Sequence, residues 1–324
     1  MRLASTSSNQ ITALCGGLGG ARLALALGHL AAETTFITNV GDDWQVGEVL
    51  VCPDTDAVIY ALAGLFDEDR GWGVRDDVFP GPRENEPPWF GLGVRDRQHH
   101  ELRHELLMGG SDLADATAII VRRLGISARV IPVTCDPNST CIDTSQGRLA
   151  FQEWLVRDRA QPQVTHVEWP GSAMAAPSRD VLTSIETSDV MVISSSSPVA
   201  SIEPSLRVLG VREALIARKE RGGRTVVISP IVSGHLPVGP RDTHRAHARE
   251  TLMQAMGMTP DLAGIAEWVS PWASHVIIDP VDADSTKLLE HAGLKVSLAP
   301  ILDQSIESRA ELVAAVVSST PRSA

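Results

Sequence analysis

The sequence predicts a doubly wound α/β protein: a Rossmann-like, mostly parallel sheet with helices on both faces, interrupted by one helical and β insertion. Three observations carry that prediction. Short apolar runs alternate with helically spaced apolar residues along most of the chain, as repeated βαβ units do. Runs such as Val190-Met191-Val192-Ile193 are apolar without alternation, as strands buried on both faces are. The first run leads directly into the turn Cys15-Gly16-Gly17-Leu18-Gly19-Gly20-Ala21-Arg22 at the head of a helix, where folds of this class hold phosphate-bearing ligands.

Taken in order, residues 11–14 read as the first strand and Leu23, Ala26, Leu27 and Leu30 as the apolar stripe of the first helix. Residues 34–40 read as the second strand and residues 58–65 as a helix. Residues 67–90 turn polar and rich in Gly and Pro, a loop long enough to suggest function. Residues 95–108 and 112–124 read as helices, the second capped by Ser111 or Asp112 and closed by Gly125. Residues 130–133, 140–143 and 149–154 read as strands, with a turn at Gln146-Gly147. Then come a short helix at 181–185, a buried strand at 189–193, a helix at 212–221 and buried strands at 225–229 and 275–279. A helix at 287–291, a strand at 296–298 and a helix at 309–317 end the chain, before a polar tail. The alternation breaks between about 68 and 168. We therefore expect a nucleotide-binding core of residues 1–67 and 169–324, with residues 68–168 as an insertion.

Composition narrows the function. The chain has 324 residues, 43% of them hydrophobic, ample for a core. A net charge of −12 argues against non-specific nucleic-acid binding or attachment to an anionic membrane. No apolar stretch reaches the length of a membrane span, and the polar first ten residues do not read as a secretory signal. Cys15, Cys52, Cys135 and Cys141 form no CxxC pair or metal-finger spacing, so a reduced, cytoplasmic protein is expected.

Ligands of open α/β sheets bind where strands end. After strand one, glycines let the backbone approach a phosphate and leave helix amides pointing at it. The spacing is neither a P-loop nor a good dinucleotide fingerprint, so the turn indicates a nucleotide or phosphorylated ligand without saying which. The plainer alternative is a tight turn with no ligand. After strand two comes Asn39-Val40-Gly41-Asp42-Asp43, and shortly beyond it Pro53-Asp54-Thr55-Asp56. Acids gathered at one sheet edge repel unless a cation sits among them. Carboxylates together with diphosphate oxygens suit Mg²⁺, while helix caps and solvated acids are the bland alternative. After the strand at 189–193 comes Ser194-Ser195-Ser196-Ser197-Pro198, and after the strand at 225–229 comes Ser229-Pro230-Ile231-Val232-Ser233-Gly234. Both loops suit phosphate or ribose. His100 and His104 share one helix face, but without acidic partners at ligand spacing a surface or ligand contact is expected rather than zinc.

These blocks resemble the 2-phospho-L-lactate transferase family. The resemblance runs through the glycine turn, Asn39 to Asp43 and Pro53 to Asp56. It continues through Trp89-Phe90-Gly91-Leu92-Gly93, Phe151-Gln152-Glu153-Trp154, Pro198 to Pro204, Gly210 to Leu215 and Ser229 to Val232, over nearly the whole chain. It implies a Mg²⁺-dependent homodimeric enzyme of deazaflavin coenzyme biosynthesis. Such an enzyme moves a phospho-acid from a guanylylated donor to the ribityl hydroxyl of a deazariboflavin, and GMP leaves. On that reading Asp42, Asp43 and Asp54 carry the chemistry, with Asp42 and Asp54 on the metal. Gly16, Gly17, Gly19, Gly20 and Arg22 hold the donor phosphates; Ser196, Ser197, Ser229 and Pro230 hold the guanosine side. Asn39, Asp56, Trp89 and His100 contact substrate, and the insertion covers the flat acceptor. Four departures fall in these loops: Val94 replaces an Asp, Ser197 an Asn and Val238 a Lys, and Pro132 to Asp136 lacks one acid. The alternative is a regulatory member of the superfamily that binds nucleotide or nucleotide sugar without transfer. A nicotinamide oxidoreductase is the third reading; Asp42 lies too far beyond the glycines for it.

Overall fold

β1 (Ile11–Cys15) is an interior strand of a seven-stranded sheet whose order is β12-β11-β10-β9-β1-β2-β5. The structure is a computed structural model that describes residues 10–233 and 240–318. The other sheet strands are β2 (Thr34–Thr38), β5 (Arg129–Pro132), β9 (Val190–Ile193), β10 (Arg224–Ile228), β11 (His275–Ile278) and β12 (Lys295–Leu298). Every pairing is parallel. β3 (Trp44–Val46) and β4 (Val49–Val51) form a hairpin, and β6 (Cys141–Thr144), β7 (Gly147–Ala150) and β8 (Val164–Glu168) form a separate antiparallel sheet.

Alternate residues of the central strands feed two apolar layers. Ala13, Cys15, Phe36, Val192 and Ile228 pack against α1 (Gly17–Leu27), α2 (Pro53–Leu62), α4 (Leu113–Arg123) and α11 (Ile306–Ser318). Leu14, Ile37, Ile193 and Val227 face α5 (Val181–Thr187), α7 (Val211–Glu220), α8 (Pro240–Ala255) and α9 (Leu262–Val269). α3 (Val94–Met108) stands beside α4; α6 (Glu203–Leu206) and α10 (Thr286–His291) complete the helices named here. Among the described residues no helix is long and apolar enough to cross a membrane.

The doubly wound fold is as expected, and Asp112 caps α4 by accepting a hydrogen bond from the Asp115 amide. Four differences have physical causes. α2 begins at Pro53, before the expected 58, because proline suits a first helical position and the acids that follow suit the first turn. The expected strand at 149–154 ends at Ala150; the chain then coils through the π-helical turn Glu153–Arg157, which buries Trp154. The hairpin β3–β4 and strand β8 escape a reading based on longer apolar runs, the hairpin strands being three residues each and β8 half-polar. Finally, β5 lies inside residues 68–168, the segment expected to stand outside the core, yet it pairs with β2 as the sheet's outer strand. What stands apart is the sheet of β6, β7 and β8.

Candidate active site

From β1 the chain steps outward to β2 and β5, then returns to lay β9 on the opposite side. The carboxyl ends of β1 and β9 are therefore the topological switch point, where open α/β sheets hold ligands. Three turns meet there, and their backbones touch. Gly17 has φ +49°, open to glycine at little cost. A Cβ on Gly19 would lie 2.5 Å from the carbonyl oxygen of Ser195, and one on Gly16 would lie 2.5 Å from Cβ of Ser201. The glycines are required by this contact, which outweighs their cost of about 1 kcal/mol each in a helix.

Asp54, in the first turn of α2, reaches into the same point. Its carboxylate accepts hydrogen bonds from the amide of Gly17 and, at 2.9 Å, from Nδ2 of Asn39. Asn39 also donates to the carbonyl of Ala200 at 3.3 Å and accepts from the amide of Gly41 at 2.9 Å. It thus ties β2, α2 and the loop after β9 together, with no amide group left to spare. Asp42 shares a hydrogen bond with Asp54, and its Oδ1 is buried with no partner. Oδ1 of Asp43 is likewise buried and unpartnered. Burial, and then the Asp54 and Asp43 charges, push the Asp42 carboxyl well above its ordinary range. Burial raises Asp43, against bonding from Cys52 and the charge of Arg103. Burial also raises Asp54, though Asn39 and Gly17 offset part of it.

The remaining predicted residues divide. Ser196 donates to the carbonyl of Gly16 and shares a hydrogen bond with Ser194 at 2.7 Å. Ser197 accepts from the Ala200 amide at 3.3 Å, at the start of a π-helical turn. Ser229 is spent on its own turn, donating to the carbonyl of Ile231 at 2.7 Å, with Pro230 half-buried beside it. Arg22 lines a small recess with Ser195, Asp303 and Arg309. Gly20 packs on Cys15. Trp89 lies 5.9 Å from Trp44, which follows Asp43, and the Arg157 guanidinium approaches Trp89 to 6.0 Å. Gly234 and Val238 lie outside the described residues. Val94 is exposed at the start of α3.

Asp56 and His100 lie together, but turned inward. Asp56 accepts from the Cys52 amide at 3.2 Å and from both terminal nitrogens of Arg103. His100, 1% exposed rather than on the surface, stands between Asp56 and Asp96, with Nε2 3.2 Å from the Asp96 carboxylate. Tyr60 donates to Asp96 at 2.7 Å. Arg103, Asp96 and Trp44 were not singled out in the sequence. The signal for the first two was present, since residues 96, 100 and 103 repeat at helical spacing on one face of α3.

The unpartnered oxygen of Asp42, beside Asp54, is the group that would meet a cation. Among the described residues no cluster of three or more His, Cys, Asp or Glu forms a protein-only metal cage. Mg²⁺ needs no such cage, because it uses one or two carboxylates and completes its shell with phosphate and water. Two open recesses, about 350 Å³ beside α3 and α4 and about 410 Å³ beside α6 and α7, are lined by none of these acids.

Residues 11–314 match the family model described as 2-phospho-L-lactate transferase CofD. A phosphoenolpyruvate transferase of Streptomyces griseus is 33% identical over 315 residues, covering 94% of this chain and 96% of the relative. A 2-phospho-L-lactate transferase of Methanosarcina acetivorans is 32% identical over 315 residues, covering 94% and 97%. A Bacillus halodurans structure of the UPF0052 family shares the fold, with a TM-score of 0.54 at 16% identity, covering 90% of this chain and 93% of that one.

Proposed function

The chain belongs to the 2-phospho-L-lactate transferase family, and from that premise we propose that it moves a phospho-acid, phospholactyl or phosphoenolpyruvyl, from a guanosine diphosphate-linked donor to the ribityl hydroxyl of a deazariboflavin. The observation that supports this most is the buried Asp42–Asp54 pair, held against the Gly17 amide without a cation of its own. A diphosphate is repelled by this pair once both acids are ionised. A cation must arrive with it, and the orphaned oxygen of Asp42 is ready for one, while that of Asp43 is left to take a proton.

On this reading Asp42 and Asp54 hold Mg²⁺, which when bound neutralises charge on the diphosphate. Asn39 fixes the orientation of Asp54. The acceptor hydroxyl attacks the phosphorus that bears the acid, its proton passing to the carboxylate of Asp43. The bond from that phosphorus to the bridging oxygen breaks, and GMP departs with the oxygen. Burial raises the affinity of Asp43 for a proton, which favours its taking one from the hydroxyl. Trp44, next to Asp43, and Trp89, tilted 44° to it, are half-buried and offer aromatic surface to the deazaflavin ring.

The test is a transfer assay with deazariboflavin and several guanylylated phospho-acids, read by mass spectrometry. The expected product carries one phospho-acid on the ribityl chain, and GMP appears in equal amount. Guanosine nucleotide binding without transfer of any donor would overturn the proposal in favour of a regulatory protein.

A further inference from the structure

The buried fork of Arg103 has no place in the chemistry above, yet it lies directly behind it. Its guanidinium is 0% exposed, an extreme position for the most strongly charged of side chains. The terminal nitrogens grip Asp56 in a bidentate pair, and Nη1 also donates to the carbonyl of Leu50 at 3.1 Å. Leu50 belongs to β4 and Asp56 to α2, so one side chain of α3 clasps both ends of the turn that contains Cys52, Pro53 and Asp54. Asp56 in turn accepts from the Cys52 amide at 3.2 Å. Both Asp56 oxygens are thereby engaged within the protein. His100 completes the arrangement, its Nδ1 3.2 Å from Nη1 of Arg103 and its Nε2 against Asp96.

We propose that Arg103 is a positioning residue: through Asp56 and Leu50 it sets the turn that delivers Asp54 to Gly17 and Asn39. The inference rests on the reading of Asp42 and Asp54 as the acids that meet the donor's cation. A bidentate guanidinium fixes direction as well as distance, which a lysine cannot do. Groups that orient metal-binding side chains commonly change metal affinity about tenfold or more when removed.

Removing Arg103 alone strands a buried carboxylate, so the test removes both charges in Arg103→Met with Asp56→Asn. The asparagine oxygen keeps an acceptor for the Cys52 amide. Two quantities are measured: the Mg²⁺ concentration needed for guanosine diphosphate binding, by calorimetry, and kcat for transfer at saturating Mg²⁺. The expected result is a folded protein that needs about tenfold more Mg²⁺ and turns over about tenfold more slowly. An unchanged Mg²⁺ requirement with unchanged kcat overturns the inference, as does a loss confined to KM, which would put Asp56 on substrate. Should the double variant not fold, Arg103→Lys carries the same comparison, since it keeps the buried charge and loses the fork. Asp42→Asn is assayed alongside. Full transfer by that variant would remove the functional reading itself, whereas an inactive Asp42→Asn beside a fully active double variant removes only the role of Arg103.

Discussion

Two pairs of buried acids lie within one turn of α2 of each other and have opposite surroundings. Asp56 and Asp96 are compensated: Arg103 forks onto the first, and His100 and Tyr60 close on the second. Asp42 and Asp54 have each other, the Gly17 and Asn39 amides and the Ser201 hydroxyl, all of them uncharged apart from the acids themselves. A buried charge that brings its own counterion is part of the scaffold. A buried charge without one is held ready for something that arrives, at a cost in stability that an unliganded protein must bear. The comparison assigns different work to residues two positions apart in sequence.

The largest expected effect would break the contrast if it failed. Asp42→Asn and Asp54→Asn should each lower transfer on the order of 10³-fold, about 4 kcal/mol in the barrier, while the fold persists; an assay showing near-normal turnover in both would mean that the uncompensated pair is idle. Next comes the compensated side. Asp56→Asn leaves the Arg103 charge buried without its partner and should destabilise the protein by about 3 kcal/mol or more, measured as a lower urea midpoint.

The pH dependence sharpens the same comparison. A carboxyl whose folded pKa lies above its unfolded value takes up a proton on folding. Its contribution is complete below the ordinary 3.8 of an aspartate and is lost as pH rises through the folded value. Without magnesium or nucleotide, wild-type stability should therefore fall as pH rises above the ordinary aspartate range and through about 6, the value to which Asp54 is raised, while Asp42→Asn should fall less and be the more stable at the upper end. Parallel melting curves for the two proteins would contradict this. The smallest effect belongs to Tyr60→Phe. It removes the 2.7 Å bond to Asp96 and should cost about 1.5 kcal/mol in unfolding, with transfer unchanged; a loss of activity comparable to that of Asp42→Asn would blur the division.

Much of this was legible before any coordinates. Apolar runs buried on both faces mark the central strands, and the glycine turn, Asn39, Asp42 and Asp54 were singled out as one neighbourhood. What a one-dimensional pattern cannot carry is direction. Asp54 and Asp56 look equivalent in Pro53-Asp54-Thr55-Asp56, but two positions on a helix differ by about half a turn. One carboxylate therefore faces the glycines and the other faces α3. The hydroxyls of Ser196 and Ser229 suit a ligand by type, yet in the fold they satisfy nearby backbone. β5 was read as a strand but not as the sheet's edge, because parallel pairing over ninety residues of sequence leaves no local trace.

One small bond has a larger reach than its length suggests. Gln152, from the separate β6–β7–β8 unit, donates to the main-chain carbonyl of Asp42 at 3.1 Å, and the amide of Thr140 holds Gly41 at 2.7 Å. The roof is thus tethered to the floor at the acid itself. A displacement of that sheet would pull directly on the main chain that carries Asp42.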